Sequence, residues 1–252
     1  MNNMLSGTTS GILAALIFSS CFPNVALASG TRGFIEPIAR TDVSLGKSKD
    51  ATGEVHLICS NYKTWAIVQL NDPALMGAKE LEFRYIGDPN ISVDLCARNF
   101  KGKVCKIDYS EGYFAGADQN FAIFDAADSF GALIDFTVYD VKSAKEIFKA
   151  TRFTYDGLQI IHGKTTSLKF TRALEVNCPL VKEGPACWDK IVAANKLPKD
   201  LHFVVPDCRQ AFRKEKASFD SSPQLGTNVV VDDLENPKIR YLGGAVYCAA
   251  AP

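Results

Sequence analysis

The sequence predicts a mainly β protein, with an antiparallel β-sandwich or barrel-like N-terminal region followed by a small disulfide-linked α+β region. Between about residues 34 and 155, short runs of β-branched and aromatic residues follow one another at near-regular spacing. Turn-forming sequences such as Asn71-Asp72-Pro73 separate these runs. Beyond about residue 160 the pattern changes to helix-like segments with four cysteines. We therefore place a soft boundary there, between regions 29–160 and 161–252, or else the second region extends the first.

The first 28 residues are expected to be a signal peptide. They contain no Asp, Glu, Lys or Arg, and their apolar run at 11–18 is shorter than the about 20 residues that span a bilayer. Ala26-Leu27-Ala28 is the small-x-small pattern that signal peptidase cleaves. A buried N-terminal helix and lipoprotein cleavage before Cys21 are the alternatives. We expect an exported protein, periplasmic or secreted, with no transmembrane segment after cleavage.

The strands of the first region are predicted from alternation. Leu81, Phe83 and Tyr85 alternate with polar residues, which is typical of a half-buried strand. The segments 91–96 and 103–107 are expected to form a hairpin around Lys101-Gly102. Other strands are predicted at 53–59, 64–70, 119–124, 132–139 and 146–155, the last in preference to a helix over 141–150.

The second region combines helices and strands. After two further strands, at 158–162 and 166–176, a helix is predicted over 185–195, because Trp188, Ile191 and Val192 share one face and Pro185 suits a first turn. A second helix is expected over 207–216, followed by a loop over 217–228. A closing strand with a bend at Gly243-Gly244 completes the region.

The cysteines indicate a disulfide framework. Removing Cys21 with the signal peptide leaves seven of the eight cysteines, an odd number that leaves one thiol over. Two pairs enclose eight residues each, so we expect Cys96–Cys105 and Cys178–Cys187, with Cys208–Cys248 closing the remaining loop. Each bond would stabilise the fold by about 2–4 kcal/mol. Cys59 is then the free thiol, either buried and inert or reactive toward a partner chain.

Charge and motifs exclude several classes of protein. The chain has 28 Lys and Arg residues against 28 Asp and Glu residues, so it lacks the positive excess of a nucleic-acid binder. It has no C-x-x-C pair and no G-x-S-x-G sequence, which leaves zinc, thioredoxin-type redox and nucleophile-elbow chemistry unsupported. We expect no metal site and no cofactor.

A Gly- and aromatic-rich stretch at 108–116 is the candidate contact surface, through Tyr109, Tyr113 and Phe114. These observations favour an exported, soluble, non-catalytic module that binds a protein or glycan partner in the envelope or on a host. The alternative is an extracytoplasmic hydrolase acting on glycan or peptide, which a cleft gathering His162 or His202 with two carboxylates would favour. A third hypothesis is an intermolecular disulfide through Cys59.

Overall fold

The structure, a computed structural model, describes residues 33–86, 94–107, 112–155 and 157–251. The predicted signal peptide and Tyr109 lie outside these residues. Within them, the strands form two antiparallel sheets of five and eight strands, which confirms a mainly β fold.

The five-stranded sheet is a meander in which each strand pairs with the next one along the chain. Short turns at residues 62–64 and 72–77 connect its central strands. Its strands, in sheet order, are β1 (Ala39–Lys47), β2 (Glu54–Asn61), β3 (Trp65–Asn71), β4 (Ala78–Tyr85) and β5 (Lys103–Ile107).

The eight-stranded sheet takes strands from both sides of residue 160, in the order β13-β12-β11-β9-β8-β7-β6. One edge of β11 pairs with β10 along its first half and with β9 at Arg172. The strand predicted over 146–155 is confirmed as β9. The strands are β6 (Tyr113–Ala117), β7 (Phe121–Phe130), β8 (Leu133–Asp140), β9 (Lys145–Phe153), β10 (Gln159–His162), β11 (Thr166–Leu174), β12 (Pro223–Asp232) and β13 (Lys238–Ala250).

The two sheets pack face to face, as in a sandwich. Ile67 and Phe83 from the five-stranded sheet share one buried cluster with Phe124 and Tyr139 from the eight-stranded sheet. The ring centroids of Phe83 and Phe124 lie 6.2 Å apart in an edge-to-face arrangement.

The eight-stranded sheet also curls around a core of its own. A second cluster joins Ile123 of β7 and Phe136 of β8 to Phe170 of β11 and Val229 of β12. Because strands distant in the sheet order meet in this cluster, the sheet is barrel-like. The first four residues of β7 are buried on both faces of the sheet, which explains why Phe121-Ala-Ile-Phe124 is a continuous apolar run.

The helical part packs on one end of the eight-stranded sheet. Helices α1 (Leu180–Glu183), α2 (Pro185–Ala194) and α3 (Arg209–Glu215) cover a third cluster that includes Leu174 and Leu225. The two longer helices confirm the sequence predictions. Two predicted disulfides, Cys178–Cys187 and Cys208–Cys248, lie in this cluster. The bend predicted at Gly243-Gly244 coincides with a register shift between β12 and β13.

The remaining cysteine assignment was wrong. Cys59 forms a disulfide with Cys96, and Cys105 is the free cysteine among the described residues. Cys105 lies opposite Phe83 and packs toward the core between the sheets. Cys59 and Cys96 lie on the other face, in a cluster with Val68. The sheet therefore separates Cys105 from Cys96, and the hypothesis of an intermolecular bond through Cys59 fails.

The hairpin expected from 91–96 and 103–107 falls partly outside the described residues, at 91–93, and its described part does not form a hairpin. Residues 94–96 form a turn instead of a strand, and β5 pairs with β4. Arg84 holds the turn on the outer face of the five-stranded sheet: its Nη1 donates to the carbonyl oxygens of Leu95, at 3.0 Å, and Ala97, at 2.7 Å. This position brings Cys96 to Cys59.

The loop expected over 217–228 is in part a buried strand. Strand β12 begins at Pro223 and lies between β11 and β13. The composition of this segment suggested a loop, but Gly226 has a packing role. A Cβ atom there would lie 2.5 Å from the ring of Phe153, so only glycine fits.

Candidate binding site

Among the described residues, strand β1 is an edge of the five-stranded sheet. It pairs with β2 on one side, and all nine of its residues are exposed. The alternating hydrogen bonds of an antiparallel ladder decide which of its backbone groups are unpaired. The Tyr62 N–H donates to the Trp65 carbonyl at 2.8 Å, so Ile58 and Ser60 direct their backbone groups toward β3.

The intervening residues of β2 therefore bond to β1 through Ala39, Thr41 and Val43. The backbone groups of Arg40, Asp42 and Ser44 consequently face away from the sheet. These three residues form the unpaired edge of β1, which we call the β1 edge.

Residues 33–38, which we call the N-terminal segment, cross from the eight-stranded to the five-stranded sheet. The Ile35 N–H donates to the Ala117 carbonyl on β6 at 2.9 Å. The Ile38 N–H donates to the Asn61 carbonyl on β2 at 2.8 Å. This path places the N-terminal segment beside the opening between the two sheets, directly before β1.

A cleft of about 240 Å³ lies at this opening. It is bounded by β1, β2 and β3 on one side, β6 on the other and the N-terminal segment across one end. Its apolar lining includes Phe34, Pro37, Ile58, Ile67 and Phe114, and its polar lining includes Glu36, Arg40, Ser60, Tyr62 and Gln69.

Aromatic side chains hold the cleft in shape. The Tyr62 ring stacks on Trp65, with centroids 4.3 Å apart, and contacts Phe114 edge to face at 6.3 Å. The Phe114 N–H donates to Gln69 Oε1 at 2.9 Å, and Gln69 Nε2 donates to Asn71 Oδ1 at 2.7 Å. Gln69 therefore has partners that fix β6 against β3.

Four polar side chains that line the cleft are available to hydrogen-bond a ligand. In the described parts of the chain, no side-chain hydrogen bond or ion pair engages Glu36, Arg40, Ser60 or Tyr62. Burial, and then the Glu36 carboxylate, raise the pKa of Tyr62 to about 12, although Arg40 opposes this. The Tyr62 hydroxyl thus stays neutral at physiological pH and can both donate and accept a hydrogen bond.

The structure separates the three residues predicted for binding. Phe114 lines the cleft. Tyr113, 37% exposed, has its hydroxyl 3.0 Å from the Gly77 N–H, whose hydrogen bond it accepts. Both belong to strand β6 instead of a loop. Sequence reasoning missed Arg40 and Tyr62, because nothing in the local pattern shows that β1 and the β2–β3 turn lie beside β6.

The histidines do not gather two carboxylates among the described residues. His162 Nδ1 lies 3.5 Å from Asp118 Oδ2, and its Nε2 lies 3.0 Å from the Gly33 carbonyl oxygen. His56 Nδ1 lies 2.6 Å from Asp42 Oδ1. His202 is exposed at the end of a short 3₁₀ helix. These contacts are structural links between chain segments.

A wider groove of about 920 Å³ lies between α3 and the end of β13. Its lining combines charged side chains of α3, such as Lys214 and Glu215, with the alanines at 249–251. Strand β13, which ends the eight-stranded sheet, lines this groove, but Tyr155 is the single aromatic residue in its lining. The cleft at β1 is lined by the aromatic rings of Phe34, Tyr62 and Phe114 and is therefore the better candidate site.

No family model, curated protein or solved structure matches this chain. The described helices include none with the length and apolar character needed to cross a membrane. In the same residues, no three His, Cys, Asp or Glu side chains cluster as metal ligands. The fold class is thus an antiparallel, sandwich-like β protein with three disulfides in its described part.

Proposed function

We propose that this chain is an exported, non-catalytic binding protein that takes an extended segment of a partner protein as an additional strand on β1. The observation that supports this proposal is the β1 edge itself. A strand of nine exposed residues with unpaired backbone groups can receive another chain, since main-chain hydrogen bonds supply affinity in this mode of recognition.

Exposed apolar side chains on β1 also favour this strand as the binding surface. Val43 and Leu45 are 41% and 40% exposed and lie on one face of β1. Strand β1 contains no proline, and its register shift lies near its end, between Ser44 and Lys47, so residues 39–44 pair regularly with β2. Its charged residues Arg40, Asp42 and Lys47 limit unspecific pairing at the edge. An added strand would cover this apolar pair.

The cysteine chemistry supports export. Three disulfides lie in the described residues, and such bonds persist in oxidising compartments. The signal peptide predicted over 1–28 would deliver the chain to such a compartment. We propose the periplasm or the exterior as the location.

The first experiment is a selection of extended peptides from a displayed library on the mature protein, followed by amide hydrogen exchange with and without the selected peptide. We expect slower exchange at Arg40, Asp42 and Ser44, whose N–H groups would become bonded. A selection that yields no peptide, or a peptide that leaves these amides unprotected, contradicts the proposal. Binding of a soluble glycan in place of any peptide contradicts it equally.

A matched pair of variants isolates the backbone. Asp42→Pro removes an outward N–H without removing a β1–β2 hydrogen bond, and we expect it to weaken peptide binding at least tenfold. Asp42→Ala removes the same side chain, including its contact with His56, but keeps the N–H. Equal affinities of the two variants would show that the peptide does not pair with the β1 edge.

The hydrolase remains a second proposal without a supporting observation of equal weight. His162 has one carboxylate nearby, and its other ring nitrogen faces a carbonyl oxygen. Neither contact supplies a nucleophile or a second acid.

A further inference from the structure

We infer that the cleft between the sheets receives one side chain of the incoming strand, and that this side chain is a tyrosine. The inference rests on the proposed strand addition and names the group by which the site would choose its partner. It follows from the position, size, walls and polar groups of the cleft.

The position of the cleft beside β1 determines which residue of an added strand can reach it. Arg40 has its backbone on the β1 edge and its side chain in the cleft. In paired strands, residues directly opposite each other have Cβ atoms about 4.5–5.5 Å apart and point to the same face. A residue opposite Arg40 in an added strand would therefore direct its side chain into the cleft.

Size and walls define the kind of side chain. The volume of about 240 Å³ is below the about 300 Å³ at which sites for whole small ligands begin, so the cleft suits one ring-sized group. Phe34, Tyr62 and Phe114 offer aromatic surface on several sides of it. Aromatic rings pack favourably against one another in offset or edge-to-face arrangements.

The polar groups define the end of that side chain. Arg40 can only donate and an ionised Glu36 can only accept, whereas the hydroxyls of Ser60 and Tyr62 do both. The opposite charges of Glu36 and Arg40 favour a neutral group over an anion or a cation. A phenol hydroxyl is neutral, donates and accepts, and it sits on an aromatic ring. Tyrosine also loses little conformational entropy on binding.

The test uses N-acetyltyrosine amide, N-acetylphenylalanine amide and N-acetylglucosamine as probes, titrated into the labelled mature protein and followed by NMR. We expect the tyrosine amide to shift signals of Glu36, Arg40, Ser60, Tyr62 and Phe114 and to bind at least fivefold more tightly than the phenylalanine amide. Equal binding of the two amides, or preferential binding of the sugar, would overturn the inference.

Two matched variants make the assignment specific. Tyr62→Phe removes a hydroxyl inside the cleft, and Tyr113→Phe removes one outside it. We expect Tyr62→Phe to abolish the preference for tyrosine over phenylalanine amide, and Tyr113→Phe to keep it. The same result for both variants would place the binding elsewhere.

The surface variant Arg40→Ala, at an exposed residue, serves if Tyr62→Phe disturbs the packing against Trp65. We expect it to weaken binding of the tyrosine amide severalfold, and unchanged binding counts against the inference. If the tyrosine amide does not bind but Asp42→Pro still weakens peptide binding, the result supports strand addition on β1 and contradicts the choice of tyrosine. If the tyrosine amide binds but Asp42→Pro has no effect on peptide binding, the result contradicts the proposed strand addition on β1.

Discussion

The carbonyl oxygen of Gly33 lies 3.0 Å from Nε2 of His162, and this contact joins the N-terminal segment to β10. Two residues later, Ile35 bonds to Ala117 on β6. Strand β6 ends the eight-stranded sheet, and the short strand β10 pairs with the edge of β11 that also meets β9. The N-terminal segment therefore lies between β6 and β10 and closes the gap in the curled sheet.

Gly33 is required for this closure, which gives the first prediction. Its φ is +89°, and a Cβ atom would lie 2.3 Å from the Ile160 carbonyl oxygen. Gly46 has a similar φ of +98°, but a Cβ atom added there would have no neighbour within 4 Å, so Gly46→Ala measures the backbone strain alone. That strain costs about 1–2 kcal/mol. We expect Gly33→Ala to lower the free energy of unfolding by clearly more than Gly46→Ala does, as measured by urea denaturation.

Equal losses in the two alanine variants would show that Gly33 does not approach β10 closely. His162→Ala adds a milder perturbation, since the hydrogen bond is exposed. It should cost no more than about 1 kcal/mol.

The second prediction concerns the free thiol. Alkylation of the unfolded, unreduced mature protein should label the peptide that contains Cys105. Labelling before unfolding should be slower, because Cys105 is partly buried on the inner face of β5. A label on Cys59 or Cys96 would contradict the observed disulfide. Cys105→Ser is the control that should remove the label.

The third prediction is a pH dependence at Asp72. The hydroxyl of Ser48 donates to its Oδ1 at 2.7 Å, and further bonds come from the Ala74 N–H and Lys79 Nζ. These bonds, that of Ser48 foremost, hold the pKa of Asp72 below its ordinary value of 3.8. The carboxylate therefore stabilises the fold fully above that value, and the stabilisation is lost as the pH falls through the lowered pKa.

Asp72→Asn should thus be less stable than the natural protein at pH 7, and the difference should shrink below pH 3.8. Thermal unfolding of both proteins between pH 7 and a pH below 3.8 measures this difference in stability. Asp50→Asn, on the same surface, is the control, and a difference for Asp72→Asn that persists unchanged in acid would contradict the assignment.

Local patterns predicted most elements but not their neighbours. The helix over 185–195 and the strands around Phe83 follow from periodicity, which the sequence displays directly. The pairing of Cys59 with Cys96 does not, because it depends on which face of the sheet each cysteine occupies. Spacing along the chain suggested Cys105 as the partner, and the sheet places that residue on the opposite face.

The residues of the candidate site were likewise predicted from the sequence only in part. Phe114 was predicted as a contact residue from its aromatic neighbourhood, and it lines the cleft. Arg40, Ser60 and Tyr62 lie far from it in sequence and become its neighbours only when the sheets pack. Gln224, in a segment expected to be a loop, likewise donates to the Phe130 carbonyl across the fold.

The sequence alone predicted a mainly β chain with an α+β end, because hydrophobic periodicity acts over a few residues. Short spacing predicted the Cys178–Cys187 disulfide, and Cys208–Cys248, 40 residues apart, was assigned as the remaining pair. Only the tertiary structure decided which strands lie at an edge, which faces the cysteines share and where the cleft opens. Those features arise when the N-terminal segment, β1 and β6 come together, and such contacts depend on packing between residues that the chain keeps far apart.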